Sequence, residues 1–317
     1  MTDLPTYAEL QARQDGPPGS SWGLFGPHDE IGALNLVGPD EVVAASRLVR
    51  KGAVFSLDYP VNAFEPTERR PAAVHTVITM APDWRDDYLD RFYLQQTSQV
   101  DGLRHVRHPA HGFYGGIDPD RVVADDPTIG VNHWADRGIV GRGVLIDVAR
   151  HRERAGRPLD HAAGEPITVD LLDETLAAQG VGLSPGDLLL VRTGYPSYLA
   201  ALGGPHPAEV AGLEQSHEML AWLWDHRIPL AASDNTALEC SPVVPTSPFF
   251  AAGGGPGDGL MHPELIALLG MVVGELWRLD ELAADCADDG VYELLLVVKP
   301  LNVVGGVGSP PNATAVK

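Results

Sequence analysis

Cysteine is almost missing. Cys240 and Cys286 are the two in 317 residues, and they sit far apart without CxxC or metal-ligand spacing. That excludes a disulfide scaffold and a thiolate metal centre, and it fits free, buried thiols in a reducing cytoplasm. Positive charge is also scarce: 22 lysines and arginines stand against 43 acids, a formal net charge of −21. Nucleic acid and anionic membrane are poor partners for such a chain. The basic residues do not gather either. Arg69-Arg70 is a pair only, and Arg150–Arg157 is broken by His151 and Glu153. No apolar run reaches membrane-spanning length. The N-terminal MTDLPTYAELQARQDGPPGSSW has neither a basic n-region nor an apolar h-region, so it is not read as a secretory signal. Several cofactor and nucleophile motifs are missing too. No GxGxxG follows a strand, no Gly-Lys-Ser/Thr follows a glycine-rich loop, and neither Ser98 nor Ser233 lies in GxSxG. A nucleotide cofactor is therefore not expected.

What is present is enough apolar residue, 44%, for a sizeable core. A helix is predicted over Pro39–Val49. Gly38 precedes it, Pro39 starts it, and Asp40 and Glu41 lie at its positive end, with Val42, Val43, Ala45, Leu48 and Val49 as the apolar face. Ala53–Tyr59, Val74–Met80, Val144–Val148, Leu188–Arg192, Leu230–Ser233 and Tyr292–Val298 read as strands. Asp170–Gln179, Glu209–Asp225 and Pro263–Leu269 read as helices, the second with a buried stripe of Leu213, Met219, Leu220, Leu223 and Trp224. Strands and helices mix without strict alternation. The expectation is one compact α/β domain over 1–317, a mixed sheet with surrounding helices and an N-terminal extension at about 1–20, rather than a doubly wound sheet.

The stretch Tyr93–His105, YLQQTSQVDGLRH, carries the strongest chemical signal. Read as a strand, it sends Gln95, Thr97, Gln99 and Asp101 to one side. Asp101-Gly102 ends the strand, and His105, four residues after Asp101, returns to that side if a helical turn begins there. Asp234–Glu239, Met261–Ile266 and Gly274-Glu275-Leu276 hold further polar groups in apolar settings. Each alone reads as readily as capping or turn chemistry. His262 and Glu275 are not at a same-face helical spacing, so a shared site requires a break, which Gly270 and Gly274 permit. Ala251–Gly259 is a loop that serves either as a plain connection or as a lid.

Laid against known motifs, these residues resemble the cyclase family that includes bacterial kynurenine formamidase and isatin hydrolase. The family pattern HxGTHxDxPxH places its acid and last histidine on Asp101 and His105, and its two leading histidines on Gln95 and Gln99. Its glycine, threonine and proline become Thr97, Ser98 and Leu103. His262 and Glu275 are similar to the family's later histidine and glutamate. SWGLFGPHDEIGALNLVGPDEV at 21–42, FYGG at 113–116, GIVGRGVLIDV at 138–148 and LLLVRTGY at 188–195 extend the resemblance over most of the chain.

The resemblance implies the swivelling β/β/α fold of that family and a homodimer or homotetramer. It also implies a hydrolase for a small amide, cyclic amide or lactone, with a divalent ion held among Gln95, Gln99, Asp101, His262 and Glu275 and with His105 as general acid and base. Two glutamines in place of imidazoles make the donor set richer in oxygen, so Mn²⁺ and Mg²⁺ stand beside Zn²⁺. Asp101 and His105 are the catalytic pair of this reading. Tyr114, His108 and His133 are candidate substrate-binding residues. Two alternatives remain: a metal-free cyclase or dehydratase using Asp101 and His105, and a non-catalytic small-molecule binding protein.

Overall fold

The computed structural model describes residues 4–251, 254 and 257–317. In chain order the first strands are β1 (Val54–Ser56), β2 (Val74–Ala81), β3 (Trp84–Asp90), β4 (Gln99–Asp101), β5 (Ile139–Asp147), β6 (Pro166–Ile167) and β7 (Leu188–Arg192). They are followed by β8 (Gly212–Leu213), β9 (Leu230–Ser233), β10 (Val272–Glu275), β11 (Glu293–Val298), β12 (Gly308–Ser309) and β13 (Thr314–Val316). Nine of them form one mixed sheet in the order β1-β13-β11-β5-β7-β9-β10-β4-β12. The four middle strands β5, β7, β9 and β10 run parallel, joined by helical crossovers. The flanking strands are antiparallel.

The middle strands are apolar at nearly every position because both sides of the sheet are covered. Val144, Ile146, Leu189, Val191, Ala231 and Val273 face one core, and their neighbours Leu145, Leu188, Leu190, Leu230, Ala232 and Val272 face the other. The first core is closed by helices Val169–Gln179 and His217–Asp225 and by Met261, Leu265 and Ile266. Helix Tyr7–Ala12 packs there too: Tyr7 N donates to Asp225 Oδ1 at 2.7 Å, and Trp224 Nε1 donates to Pro5 O at 2.9 Å.

Several sequence expectations change. The helix begun by Pro39 ends at Ser46 and buries Ala45, while Val43 remains 49% exposed. The expected helix from Glu209 starts at His217, because Gly212–Leu213 is taken up in pairing with Pro166–Ile167. Its whole expected stripe is nevertheless buried. Val74–Ala81 does form a strand, but it pairs with Trp84–Asp90 as a separate hairpin with an exposed surface. Of the expected loop Ala251–Gly259, residues 252, 253, 255 and 256 lie outside the described residues. Among the described residues no helix is long and apolar enough to cross a membrane.

Candidate metal and catalytic site

The strand expected through Gln95 is corrected by the structure. Only Gln99, Val100 and Asp101 pair with neighbours. Before them the chain turns, with Gln96 N donating to Tyr93 O at 3.1 Å. Thr97 turns its hydroxyl to Pro60 O, and Ser98 Oγ donates to Leu276 O at 2.6 Å. Side-chain bonds hold this segment where ladder bonds were expected. Within β4 the alternation holds. Val100 enters the second core, so Gln99 and Asp101 face the first.

Antiparallel pairing sets Gln99 opposite Glu275 and Asp101 opposite Val273. Gln99 and Glu275 thus lie at the carboxyl end of parallel strand β10, the end at which open α/β sheets bind ligands, and Asp101 lies further back along it, level with Val273. Gly102 lets the backbone continue. A Cβ there would stand 2.6 Å from Val307 O, which accepts the Gly102 N–H at 2.9 Å. The turn that follows is closed by His105 N donating to Gly102 O at 2.9 Å, and it brings His105 Nε2 to 3.7 Å from Asp101 Oδ2. Gln95 arrives by another route. Its amide nitrogen lies 2.5 Å from where a Cβ on Gly308 would sit, and Gly308 is the direct partner of Asp101. The missing side chain at 308 makes room for Gln95 beside the acid.

His262 leads the π-type turn Pro263–Leu268 beneath the same core. Its Nε2 lies 3.1 Å from Glu275 Oε1 and its Nδ1 lies 2.5 Å from Glu239 Oε1, while Glu239 Oε2 accepts the Met261 N–H at 2.7 Å. Gln99 Nε2 donates to Glu275 Oε2. Asp101, His262 and Glu275 each offer a ligand atom, and the three atoms lie within 4.8 Å of one another. All four expected residues, Asp101, His105, His262 and Glu275, therefore converge, and Gln99 joins them.

Glu239 is the member that sequence reasoning missed. It belongs to a segment already marked as polar in an apolar setting. Its pairing with a histidine 23 residues away leaves no spacing signal. Its neighbour Leu238 and Glu275's neighbour Leu276 both have left-handed backbones, φ 56° and 55°, a conformation rare for leucine. Surrounding bonds hold them: Leu276 N donates to Asn235 O at 2.8 Å and its carbonyl accepts Ser98, while Leu238 O accepts Leu213 N at 3.0 Å. Such strain concentrates at functional sites.

The electrostatics are lopsided. Three carboxylates, Asp101, Glu239 and Glu275, surround one imidazole. Asp101 is 1% exposed, yet among the described residues neither of its oxygens has a hydrogen-bond partner, and Gln99 Oε1 has none either. An unpartnered buried carboxylate is costly. Burial, followed by the charge of Glu275, pushes the Asp101 carboxyl well above its usual range. Burial pulls His262 down, but its bonds to Glu239 and Glu275 outweigh this and hold it well above an ordinary histidine. His105 is pushed down to about 4, mainly by burial against a smaller opposing pull from Glu275. Orphaned oxygens beside an imidazole whose far nitrogen is fixed by a carboxylate make a donor set that fits a divalent cation, with Glu239 in the usual place of the group that orients a ligating histidine.

The remaining candidates sit elsewhere. His108 Nε2 faces Glu264 Oε1 at 3.4 Å, on the wall of a cavity of about 340 Å³ also lined by His111, Phe249, Leu260 and Pro263. The described part of the 251–259 loop lines the same cavity. Tyr114 is buried with its hydroxyl donating to Asp29 Oδ2 at 2.6 Å, beside a different cavity of about 400 Å³ that includes Trp22 and Glu30. His133 Nε2 reaches Pro127 O at 2.8 Å and Glu30 Oε2 at 3.6 Å. Neither Tyr114 nor His133 joins the Asp101 group.

The "Putative cyclase" family model matches residues 55–240. A solved structure of a novel cyclase is 32% identical, with a TM-score of 0.78 over 94% of this chain and 99% of that one. The chain belongs to the cyclase family. More distant solved structures share the fold. An isatin hydrolase bound to the product analogue thioisatinate is 14% identical, with a TM-score of 0.56 over 88% of this chain and 98% of that one. Isatin hydrolase A from Labrenzia aggregata, bound to benzyl benzoate, is 13% identical, with a TM-score of 0.57 over 87% and 97%. No curated protein matches the sequence closely enough to count as a relative. Within this cyclase-family chain, Gln95, Gln99, Asp101 and His105 lie at one site.

Proposed function

We propose that the chain is a metal-dependent hydrolase acting on a small amide, cyclic amide or lactone. The observation that supports this most is the buried Asp101 carboxyl with no hydrogen-bond partner among the described residues, its ligand atom within 4.8 Å of those of His262 and Glu275. Asp101, His262 Nε2 and Glu275 would hold a divalent ion, with Gln99 Oε1 as a further neutral donor. The oxygen-rich set suits Mn²⁺ or Mg²⁺ as well as Zn²⁺. Such an ion, when bound, lowers the pKa of water and polarises a carbonyl.

The protein's own groups supply the rest. His105 is the most exposed of the converging side chains, at 25% against 1% for Asp101, 9% for His262 and 7% for Glu275. It is neutral at pH 7 and open to accept a proton from the attacking water, which it then delivers to the leaving nitrogen or oxygen. Asp101, 3.7 Å away, stabilises the imidazolium formed between those two transfers. Glu239 fixes the ring of His262 through Nδ1. The 340 Å³ cavity reaches Leu260 and Pro263 on either side of His262, which makes it the best-placed space for the substrate's body.

The test is elemental analysis of the purified protein, calorimetric titration with Mn²⁺ and Zn²⁺, and turnover of a panel of amides and lactones with and without chelator. One bound ion per chain and chelator-sensitive hydrolysis are expected. Turnover that survives complete removal of metal would instead favour the metal-free cyclase or dehydratase. Binding without turnover across the panel would favour a non-catalytic binding protein.

A further inference from the structure

Arg70 belongs to the short basic pair Arg69-Arg70, and nothing in the reaction outlined above uses it. Arg104 and Arg227 are spent on several backbone carbonyls each, and other half-buried arginines are matched to acids: Arg142 with Asp187 and Glu293, Arg150 with Asp147, and Arg192 with Asp147 and Asp280. Arg70 is not. Among the described residues its guanidinium makes one hydrogen bond, from Nη1 to the carbonyl of Gln95. Gln95 packs over Gly308, the strand partner of Asp101. The guanidinium therefore stands at the rim of the acidic group with most of its donors free. Its charge acts on both Asp101 and His105, favouring the deprotonated form of each against the burial that dominates Asp101.

The backbone around Arg70 is built to present it. Asn62 closes a loop by exchanging two hydrogen bonds with the Ala73 backbone, Nδ2 to O and N to Oδ1, each 2.9 Å. Inside the loop, Thr67 N donates to Arg70 O at 3.0 Å, and Arg70 N donates to Thr67 O at 3.2 Å and to Thr67 Oγ1 at 3.0 Å. Phe64 anchors the loop. It is 8% exposed and packs with Tyr195, Val210 and Leu276, the residue after Glu275. A loop tied at its ends, in its turn and to the site itself is pre-organised, so little entropy is lost when its arginine engages a ligand.

A planar guanidinium with free donors is the side chain suited to bidentate capture of a carboxylate. We propose that Arg70 is a specificity-determining residue that binds a carboxylate on the substrate, so that the substrate class is a small amide or lactone carrying a carboxylate near the cleaved bond. The proposal rests on the hydrolase reading for the identity of that bond, but not for the anion preference itself.

The experiment compares N-formyl-, N-acetyl- and N-benzoylglycine with the matching neutral glycinamides, by calorimetry in 1 mM Mn²⁺, on wild type, Arg70→Met and Arg70→Lys. Wild type is expected to bind at least one of the carboxylates about tenfold or more tighter than its amide. Arg70→Met should erase the difference, and Arg70→Lys should restore part of it, since it keeps the charge but loses the fork. Melting temperature and Mn²⁺ uptake should change little in either variant. No carboxylate preference in wild type, or a preference that persists in Arg70→Met, overturns the assignment, the latter pointing to direct contact of the anion with the ion. A wild type that takes up no Mn²⁺ counts against the hydrolase reading instead. A collapse of the Arg70→Met fold leaves Arg70→Lys to decide: an unchanged preference in folded Arg70→Lys overturns the bidentate role.

Discussion

Two buried carboxylates of the same sheet live in opposite circumstances. Asp234, just after β9, is 1% exposed and fully occupied. It accepts from Thr193 N and Oγ1, both at 2.7 Å, and from Gly194 N at 2.9 Å. Nearby, Asp147 accepts from Arg192 at 2.9 Å and Arg150 at 3.1 Å. Asp101, equally buried on β4, accepts from nothing among the described residues. The first arrangement completes itself and holds β7 and β9 in place. The second is complete only when something from outside arrives. Buried polar groups are hydrogen-bonded as a rule, so the exception marks where structure gives way to function.

The largest way to break this comparison is at His105. His105→Ala should lower turnover by roughly 10²–10⁴-fold, the contribution of a positioned acid–base group, while melting temperature and ion uptake hold. Steady-state kinetics beside calorimetry would check it, and wild-type rates would remove His105 from the mechanism.

Substituting the two aspartates should then separate them by sign. Asp234→Ala strands three donors and should destabilise by about 3 kcal/mol. Asp101→Asn removes a carboxyl that must be protonated to stay buried without a partner, and it should raise metal-free stability near neutral pH by roughly 1–2 kcal/mol while abolishing ion binding. Denaturant titrations of both variants in chelator read this directly, and equal destabilisation would mean that Asp101 is structural after all.

A smaller effect is expected from restoring imidazole. Gln99→His should tighten Zn²⁺ by about tenfold, because imidazole is the better zinc ligand and Gln99 already faces Glu275. Gln95→His should add less, since Gln95 reaches the site from a turn rather than from the strand. If wild type already holds a stoichiometric zinc through dialysis, the argument from weak ligands is wrong.

These residues also mark how much was legible in the sequence. Asp101, His105, His262 and Glu275 could be placed together because a family pattern names them. Leu188–Arg192 and Leu230–Ser233 could be read as strands because both cores demand apolar residues at each step. Glu239 and Arg70 could not be found. Each acts through a contact made by tertiary folding, Glu239 with His262 and Arg70 with Gln95, and neither contact has a periodicity. The strand through Gln95 was misread for a related reason. Alternation describes a pattern but not the presence of a partner, and β12 pairs only with Val100 and Asp101.

The mildest test is pH. Burial raises Asp58, Asp187 and Asp234 to about 6, against smaller opposing hydrogen bonds. A folded pKa above the unfolded value means that the native state holds more protons between those values, so stability should rise as pH falls through that window. Asp126 is held down at about 2 by its bonds to Thr128, and the stability it contributes is lost as pH falls below about 4. His105, held down at about 4, works the other way, because the unfolded chain binds its proton first as pH falls. The gain is therefore confined to the upper part of the window, and scanning calorimetry should find the highest melting temperature at about pH 5–6. A maximum at pH 7 or above would contradict the raised carboxyls.

Strand β4 has a consequence for how the molecule comes into being. Its neighbours are β10 and β12, residues 272–275 and 308–309, so Gln99–Asp101 emerges during synthesis long before either side of its ladder exists. Non-local pairing of this kind forms late and slowly. The Asp101 carboxylate thus stays in water, where an unpaired charge costs little, until Glu275 and His262 are already in place. A chain cut short before residue 272 would keep most of the parallel strands yet leave β4 with no seat, and the centre of the protein's chemistry would be the last part to assemble.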